Sequence, residues 1–415
     1  MTDEFAEIVI VGAGPAGIMA AIRAKELRKE VILLEKNNSI GKKILLTGKK
    51  RCNLTNEAPI EDFVKKFKKQ GKFLKTAFYA FSNRDLINFF ERQGLSMKRE
   101  RQGRIFPITD KSASVVEALA KCLSDNKIKI LYNTRITGIA EKEDRFYIKA
   151  EKKLSIKAKK VILATGGASY AATGSTGDGF KLARQLGHSI TRLVPALVPL
   201  RVAEPWIKGL QGLTLKNVRF NILIKGKKIR SSIGEILFTH FGVSGPLILD
   251  LSGEISGIID SHISAPLFID MKPGLTPEKL DKRILAELKK NGKMQFCNIL
   301  KSLIPSKMVS VFMMLAGISG RTPANQVTKD QRRVTSALLK AFPLTLSGAL
   351  PLEYAMVTAG GVLSSEINSR TLESKIIPHL YFAGEIIEGS APSGGFSLQQ
   401  AFSTGHLAGE NAAHE

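Results

Sequence analysis

Three glycines and one acid near the start of the chain are the residues whose spacing best indicates a chemistry. Gly12, Gly14 and Gly17 follow an apolar segment in G-x-G-x-x-G order, and Glu35 ends a second apolar segment eighteen residues after Gly17. In this spacing the first glycine permits a tight turn, the second lets a pyrophosphate approach the backbone, and the third lets a helix pack closely on the sheet. The helix N-terminus attracts phosphate, and Glu35 can accept a hydrogen bond from a ribose hydroxyl. The pattern predicts a strand–turn–helix–strand unit that binds a dinucleotide.

The charge of the chain predicts a polyanionic partner. Lys and Arg number 62 against 37 acidic residues, which gives a formal net charge of +25. Phosphate polyanions bind to such a field by releasing counterions, whereas an enzyme that acts on a small neutral metabolite does not need one. A general lysine bias of the proteome is the alternative that the sequence leaves open.

The basic residues of the N-terminal region are clustered, which favours the first interpretation. Aromatic residues lie among them, as is typical of surfaces that bind single-stranded or looped RNA, although phenylalanines at helical spacing are more often core residues. We therefore expect RNA to bind at the 42–104 region, with a further contribution from Lys225, Lys227, Lys228 and Arg230. The three groups are Lys42, Lys43, Lys49, Lys50 and Arg51; Lys65, Lys66, Lys68, Lys69, Lys72 and Lys75; and Lys98, Arg99, Arg101 and Arg104, with Phe63, Phe67, Phe73, Phe78 and Tyr79 among them.

Several classes of protein are disfavoured. No apolar run reaches the roughly 18 to 20 residues that span a bilayer, and no cleavable signal peptide is visible. The three cysteines, Cys52, Cys122 and Cys297, are too scattered for a disulfide framework or a CxxC metal site. We expect a cytoplasmic protein with no membrane association and no bound metal, and the oligomeric state stays open.

The order of patterns along the chain indicates one nucleotide-binding domain split by an insertion. Short alternating runs with frequent Gly and Pro indicate a β module at 192–272, and Lys-rich helical patterns follow at 273–351. Apolar, glycine-punctuated segments then return. We predict an α/β fold in which residues 1–191 and 352–415 form the nucleotide-binding domain and the other two ranges form inserted modules.

Two later segments resemble the FAD domain of the glutathione-reductase-like flavoproteins. One apolar strand ends in Ala164-Thr-Gly-Gly167, and another ends in Ala383-Gly-Glu385 before a glycine-rich turn and a helix. The resemblance implies a Rossmann-type FAD domain in which the late acid binds the ribityl or pyrophosphate part of FAD and the last helix faces the isoalloxazine ring. The residues that it implies for FAD binding are Gly12, Gly14, Ala16, Gly17, Glu35, Lys36, Lys43, Thr47, Gly48, Arg51, Cys52, Asn53, Thr165, Gly166, Gly167, Gly384, Glu385, Gly394, Gly395 and Phe396.

Nearly the whole chain resembles the bacterial flavoproteins known as BaiN-type or aminoacetone-oxidase-like NAD(P)/FAD-dependent oxidoreductases. That family implies an FAD domain with an inserted β-barrel-like module and a helical module. Its substrate labels disagree, and we favour ribosomal RNA dihydrouridine synthase. The chain departs from the family at Lys49 and Lys50, where glycines are usual, and in the turn at 388–395. The motifs that carry the resemblance are Gly41–Asn56, Gly103–Pro107, Ala164–Tyr170, Thr173–Gly179, Phe238–Pro246 and Met356–Gly361.

Reduction of the uracil C5–C6 double bond would need a hydride from flavin N5 at C6 and a proton at C5 from a general acid on the opposite face. Cys52 and His240 are the candidates for the catalytic acid. The alternative for Cys52 is a small buried loop residue, and that for His240 is a structural histidine in a glycine-rich turn. Arg51 and Asn53 are expected to bind FAD or the base.

The electron donor and two other functions remain open. The chain has one G-x-G-x-x-G unit, so we expect NAD(P)H to dock transiently against the flavin, unless another reductant supplies electrons. The favoured function is reduction of a uridine in large-subunit ribosomal RNA. The alternatives are a small-molecule flavin oxidase or reductase and a non-catalytic RNA-binding flavoprotein.

Overall fold

The computed structural model describes residues 3–151, 154–259 and 264–414. The chain forms two compact units. Unit 1 consists of Met1–Pro195 and Leu352–Glu415, and unit 2 consists of Ala196–Pro351. Most of the predicted insertion, 192–351, falls in unit 2.

Strands and helices are interspersed along unit 1, whereas strands precede most of the helices in unit 2. The strands are β1 (Asp3–Val11), β2 (Val31–Leu34), β3 (Thr55–Asn56), β4 (Met97–Arg99), β5 (Arg104–Pro107), β6 (Lys129–Leu131), β7 (Ile136–Lys142), β8 (Arg145–Ala150), β9 (Ser155–Leu163), β10 (Val194–Ala196), β11 (Leu200–Val202), β12 (Thr214–Ile224), β13 (Lys227–Arg230), β14 (Gly234–Phe238), β15 (Gly242–Ser244), β16 (Ala265–Asp270), β17 (Phe342–Ala349), β18 (Val357–Ala359) and β19 (Leu380–Phe382). The helices are α1 (Pro15–Glu26), α2 (Ile60–Lys66), α3 (Lys69–Ala80), α4 (Asn83–Arg92), α5 (Ser112–Asp125), α6 (Asp178–Gln185), α7 (Pro246–Ile258), α8 (Pro277–Lys290), α9 (Phe296–Leu303), α10 (Val309–Ala316), α11 (Lys329–Lys340) and α12 (Phe396–Ala413).

A largely parallel sheet forms the centre of unit 1. Its order is β6-β2-β1-β9-β8-β7, and β19 also pairs with β9. β1 runs parallel to both β2 and β9, and β19 runs parallel to β9. β2, β19 and the C-terminal halves of β1 and β9 are apolar and buried on both faces, as is usual for parallel strands that helices cover. Their carboxyl ends meet at one edge of the sheet, which is where ligands bind in open α/β folds.

The first and last helices pack against each other over this sheet. Gly405 of α12 allows the contact, because a Cβ there would lie 2.2 Å from the carbonyl oxygen of Ala16 in α1. Gly409 meets Ala20 one turn further along in the same way. The contact places the N-terminal residues of α1 against the last segment of the chain.

The phenylalanines of the lysine-rich region form a small core of their own. Phe63, Phe67 and Phe78 are buried and pack with Phe396 at the start of α12. Tyr79 is the exposed aromatic residue among the interleaved set, at 53%. The interpretation of these phenylalanines as core residues is therefore the correct one, because their helical spacing turns them inward while the lysines between them face solvent.

A closed β-barrel forms the strand part of unit 2. The order β12-β14-β15-β11-β17-β16 returns to its start because β16 also pairs with β12, and β13 pairs with β12 at the edge. β17 lies within the 273–351 range, whose pattern predicts helices. It is a strand because it pairs with β16 and buries alternate side chains, including Phe342 and Leu344, in the barrel.

Candidate cofactor-binding site

The glycine turn between β1 and α1 has the geometry that the sequence pattern requires. Gly12 has a φ of +106°, and a Cβ there would lie 2.6 Å from the carbonyl oxygen of Ala164. A Cβ on Gly17 would lie 1.8 Å from the carbonyl oxygen of Gly12. A Cβ on Gly14 would have no neighbour within 4 Å. Gly12 and Gly17 therefore serve the packing of the turn, and the open space beside Gly14 can admit a phosphate to the backbone.

Glu35 is held beside this turn. Its carboxylate accepts hydrogen bonds from Ala13 N at 2.9 Å, through Oε2, and from Asn37 N at 2.8 Å, through Oε1. The side chain of Asn37 also donates to Oε1, at 2.7 Å. Since each carboxylate oxygen has two acceptor positions, Oε2 can still accept a bond from a ribose hydroxyl.

A polar cleft of about 360 Å³ lies beside Lys36, the residue after Glu35. Lys36, Asn37, Asn133 and Arg135 are among the residues that line it. Lys36 donates hydrogen bonds to Thr176 Oγ1 and Asp178 Oδ2 at 2.6 and 3.0 Å. The hydrogen bonds from Arg135, and next those from Lys36, hold the pKa of Asp178 well below its usual range. Asp178 thus helps to position Lys36 and Arg135 in the cleft.

A second cluster joins segments that are far apart in the sequence. Lys43 Nζ donates to Glu385 Oε2 and to Ser169 Oγ, both at 2.7 Å. Glu385 Oε1 accepts from Thr358 N at 2.7 Å and from Ser169 Oγ at 3.0 Å. Glu385 therefore organises the Lys43 loop, the turn after β9 and strand β18. Ser169 and Thr358 carry no role in the sequence analysis, although both lie inside its motifs.

The turn after β9 packs tightly against this cluster. A Cβ on Gly167 would lie 2.5 Å from Thr358 Oγ1, and Gly166 has a left-handed φ of +73°. Gly384 N donates to Thr404 Oγ1 at 2.9 Å, and its Cα faces Ala16 in α1 closely enough that a Cβ would lie 2.9 Å from the Ala16 Cβ. The hydroxyl of Thr165 is buried without a hydrogen-bond partner among the described residues.

The loop at 47–53 meets the turn before α12. Thr47 Oγ1 donates to Ile44 O at 2.7 Å, and Gly48 has a φ of +57°. With its amide oriented to satisfy both neighbours, Asn53 accepts a hydrogen bond from Gly395 N at 3.0 Å. Asn56 in turn donates to Gly394 O at 3.2 Å. The structure thus brings the Gly48–Asn53 loop and the Gly394–Gly395 turn together.

Arg51 lies in this loop but is bound to protein acids. Its guanidinium donates to Asp110 Oδ1 through Nε at 2.9 Å, pairs with Glu100, and lies over the Phe106 ring at 4.4 Å. Lys98 also pairs with Asp110. The hydrogen bonds that Arg51 donates to Glu100 and then to Asp110 raise the pKa of Arg51 above its usual value. This arrangement does not favour the expected role of Arg51 as a ligand of FAD or of the base.

Cys52 is fully buried, with 0% of its surface exposed. Burial raises the pKa of its thiol to about 12, against a smaller lowering by a hydrogen bond with Thr47. No part of the side chain reaches a surface from which a substrate could take a proton. Of the two roles that the sequence left open, the structure favours a buried packing residue over a general acid.

Two further sequence candidates lie in different surroundings. His240 is exposed in unit 2, in a turn between β14 and β15 that Thr239 N closes by donating to Gly242 O at 2.8 Å. The Phe396 ring is 2% exposed and contacts Phe63 at a centroid distance of 4.6 Å. The Phe396 ring is therefore part of the small phenylalanine core. The expected contact of Phe396 with the isoalloxazine ring could involve only the backbone of Phe396.

The comparisons with known proteins agree on the family. The model of the HI0933-like protein Rossmann domain matches residues 6–411. The chain belongs to the HI0933-like family. A 3-dehydro-bile acid delta(4,6)-reductase of Clostridium scindens is 32% identical to this HI0933-like chain, over 98% of both proteins. A ribosomal RNA dihydrouridine synthase of Haemophilus influenzae is 27% identical and covers 97% of the chain and 98% of the relative.

A solved structure shows the same fold. The 3-ketosteroid-delta4-(5alpha)-dehydrogenase of Rhodococcus jostii matches with a TM-score of 0.53 at 16% identity. The match covers 100% of the HI0933-like chain and 98% of the dehydrogenase chain. The prediction of an α/β fold with a Rossmann-type FAD domain and inserted modules is confirmed. Among the described residues, none of the helices has both the length and the apolar character that crossing a membrane requires.

The site residues of this HI0933-like chain fit FAD. The space beside Gly14, the free acceptor position on Glu35 Oε2 and the unpartnered hydroxyl of Thr165 lie on segments that the FAD domain uses. The protein is an FAD-dependent oxidoreductase.

Proposed function

We propose that this oxidoreductase reduces a uridine of large-subunit ribosomal RNA to dihydrouridine, with NAD(P)H as the transient electron donor. The observation that carries the proposal is the lysine surface of helices α2 and α3. A small neutral substrate gives no physical reason for such a surface, whereas a folded RNA does.

The lysine surface consists of six exposed side chains on one helical hairpin: Lys65, Lys66, Lys68, Lys69, Lys72 and Lys75. Lys65 lies 3.5 Å from Asp62 in an exposed pair, which is a weak interaction in water. Within the described part of the chain, Lys69 and Lys72 have no ion-pair partner. The buried phenylalanines pack beneath the hairpin, so its lysines face solvent.

Bound FAD would supply the hydride for the reduction. The chain would hold its phosphates at the Gly12–Gly17 turn and its ribose at Glu35, while Lys43 and Glu385 fix the turn after β9. The Gly394–Gly395 turn, held by Asn53 and Asn56, would position the N-terminus of α12. Purified protein should be yellow, and denaturation should release FAD.

His240 is our candidate for the proton donor, because Cys52 is buried and His240 is exposed. A general acid contributes on the order of 10² to 10⁴ in rate, so His240→Ala should lose most uridine reduction while keeping FAD. Cys52→Ala should keep both FAD and near wild-type reduction. A large loss in Cys52→Ala with normal FAD content and normal chemical reduction of the flavin would return the role to Cys52.

A small-molecule reductase is the second candidate, and the relationship to the bile acid reductase favours it. That relative is 32% identical across 98% of both chains, more than the 27% of the RNA-modifying relative. The reactions denoted by the two names have one chemical feature in common, which is reduction of a carbon–carbon double bond. The fold and the site that we assign to FAD therefore suit either substrate.

The deciding experiment measures dihydrouridine in large-subunit ribosomal RNA from cells with and without the gene, by mass spectrometry of the digested nucleosides. We expect the modified nucleoside to disappear on deletion and to return with the wild-type gene. Purified, FAD-loaded protein with NADPH and unmodified ribosomal RNA should produce it in vitro. Unchanged dihydrouridine in the deletion strain, together with reduction of a steroid enone by the purified protein, would favour the second candidate.

A further inference from the structure

The outward face of the unit 2 barrel carries an apolar patch where strands β12 and β16 pair. Leu223 is 54% exposed and Phe268 is 39% exposed, although their chain neighbours Ile222, Ile224 and Leu267 are almost fully buried. Side chains alternate across a strand, so the buried residues fill the barrel and the exposed ones stand on its outside. Large apolar side chains that are adjacent and exposed on a sheet face indicate a binding surface.

The strand register places two cations directly beside this patch. Asn221 is opposite Arg230 on β13 and opposite Phe268 on β16. Leu223 is opposite Lys228 in the next pair of the same hairpin. Residues opposite each other in an antiparallel sheet share a face and lie about 5 Å apart. The face thus has two rows, Arg230–Asn221–Phe268 and Lys228–Leu223, with the positive end of each row on the edge strand.

The hairpin turn keeps the positive charge at this edge. Lys225 and Gly226 have φ values of +47° and +75°, which is the conformation of a two-residue turn that continues the twist of both strands. Lys227 pairs with Glu254 at 2.7 Å, whereas Lys228 and Arg230 are exposed and have no ion-pair partner among the described residues. Two cations are therefore available on the edge strand β13, across β12 from the exposed ring of Phe268.

We propose that this face binds a single-stranded segment of RNA, with a base stacked on Phe268 against Leu223 and Asn221 and with the adjoining phosphates on Lys228 and Arg230. An unpaired base presents a flat apolar surface to an aromatic ring, and its phosphates lie to one side. The arrangement of an apolar row bordered by cations on one edge matches that ligand. A neutral apolar partner would leave Lys228 and Arg230 without a counter-charge. The inference rests on the proposed function for the identity of the RNA.

The test measures binding of the full-length, FAD-loaded protein to a labelled ten-nucleotide oligouridine and to a duplex RNA of the same length. Phe268→Ala should weaken oligouridine binding about 5- to 100-fold, since one stacked base is lost, and should leave duplex binding unchanged. Phe268→Tyr keeps the ring and should bind like the wild type. The side chain is exposed, so none of these variants should unfold the barrel, and circular dichroism should confirm this.

The cations are tested by a matched pair of double variants. Lys228→Gln with Arg230→Gln should lower the salt dependence of log K for oligouridine by about 1.4, or 0.7 for each phosphate contact. Lys289→Gln with Lys290→Gln removes the same charge from exposed positions at the end of α8. This control should change the salt dependence of oligouridine binding much less. Equal effects of the two pairs, or unchanged oligouridine binding in Phe268→Ala, would overturn the proposal. So would a wild-type dimer in light scattering that becomes a monomer in Phe268→Ala, because a second copy would then cover the face.

The dihydrouridine assay separates this inference from the proposed function. Formation of dihydrouridine by the wild type with equal RNA binding and equal turnover in Phe268→Ala would refute the binding face alone. Oligouridine binding that depends on Phe268, in a protein that forms no dihydrouridine, would support the face and refute the proposed function.

Discussion

Two basic regions of unit 1 have similar compositions and different surroundings. The six lysines at 65–75 lie on one exposed helical hairpin, and their phenylalanine neighbours face inward. The basic group at 98–104 lies around the short β4–β5 sheet, where acids from other parts of the chain pair with two of its four cations. Lys98 pairs with Asp110, and Arg99 pairs with Glu57 at 2.6 Å.

The difference shows that the number of basic residues in a segment does not decide how much charge it offers to a ligand. Arg51 illustrates the point, because its side chain is committed to Glu100 and Asp110, up to 59 residues away. A paired cation contributes little to binding a phosphate, since its partner must first be displaced or remains nearby as a repelling charge. We therefore expect RNA affinity to depend on the 65–75 region and local stability to depend on the 98–104 region.

The largest expected effect comes from the exposed lysines of the 65–75 region. Replacement of Lys65, Lys66, Lys69 and Lys72 by Gln should weaken RNA binding about 100-fold or more near 0.1 M salt, and should lower the salt dependence of log K by up to about 2.8. Fluorescence anisotropy with a ribosomal RNA fragment measures both quantities. Unchanged binding in this variant would show that the lysines are only a solvated helix face.

The matched variant removes four charges from the paired region. Replacement of Lys98, Arg99, Arg101 and Arg104 by Gln should change RNA affinity by less than about tenfold, because two of the four are already paired. The melting temperature should fall, since Asp110 loses Lys98, one of its two cationic partners, and Glu57 loses Arg99. Equal losses of RNA affinity in the two fourfold variants would break the contrast between the regions.

Acid sensitivity should distinguish the paired region further. Lys98 and then Arg51 lower the pKa of Asp110 below its ordinary value of 3.8. A carboxyl whose folded pKa is lowered stabilises the protein above its unfolded pKa, and this contribution is lost as the pH falls. Between about pH 5 and pH 3, the melting temperature of Asp110→Asn should therefore fall less than that of the wild type. Asp330→Asn, at an exposed position in α11, is the control and should follow the wild type.

The smallest expected effect concerns Lys49 and Lys50, two exposed lysines in the loop before Cys52. Lys49 and Lys50 have φ values of +58° and +67°, a conformation that costs most residues about 1 kcal/mol and costs glycine little. Lys49→Gly with Lys50→Gly should keep or slightly raise the melting temperature and weaken RNA binding a few-fold, because two exposed charges are removed. Lys49→Ala with Lys50→Ala removes the same charges but keeps the strain. Full RNA affinity in both variants would show that these two lysines do not contribute to RNA binding.

The local parts of the fold and site could be predicted from the sequence. The glycine turn and Glu35 lie within one strand–helix–strand unit, so their spacing alone determines which atoms meet. The buried parts of β1, β2 and β9 are also visible in the sequence, because each is a run of neighbouring apolar residues. The family and the α/β fold followed from motifs of this local kind.

Other features of the site depend on residues that approach each other only in the folded chain. Glu385 meets Lys43 across 342 residues, and this pairing gives Glu385 a structural role that its strand pattern does not reveal. Cys52 is enclosed by the loop and Arg51 is paired with distant acids, and neither environment could be read from the sequence. The sequence by itself determined the nucleotide turn, the family and the excess of positive charge, because these depend on residues close together or on composition. The tertiary structure alone decided which thiol is accessible, which cations are free and which aromatic rings are exposed, because burial and ion pairing depend on distances between segments that no local pattern encodes.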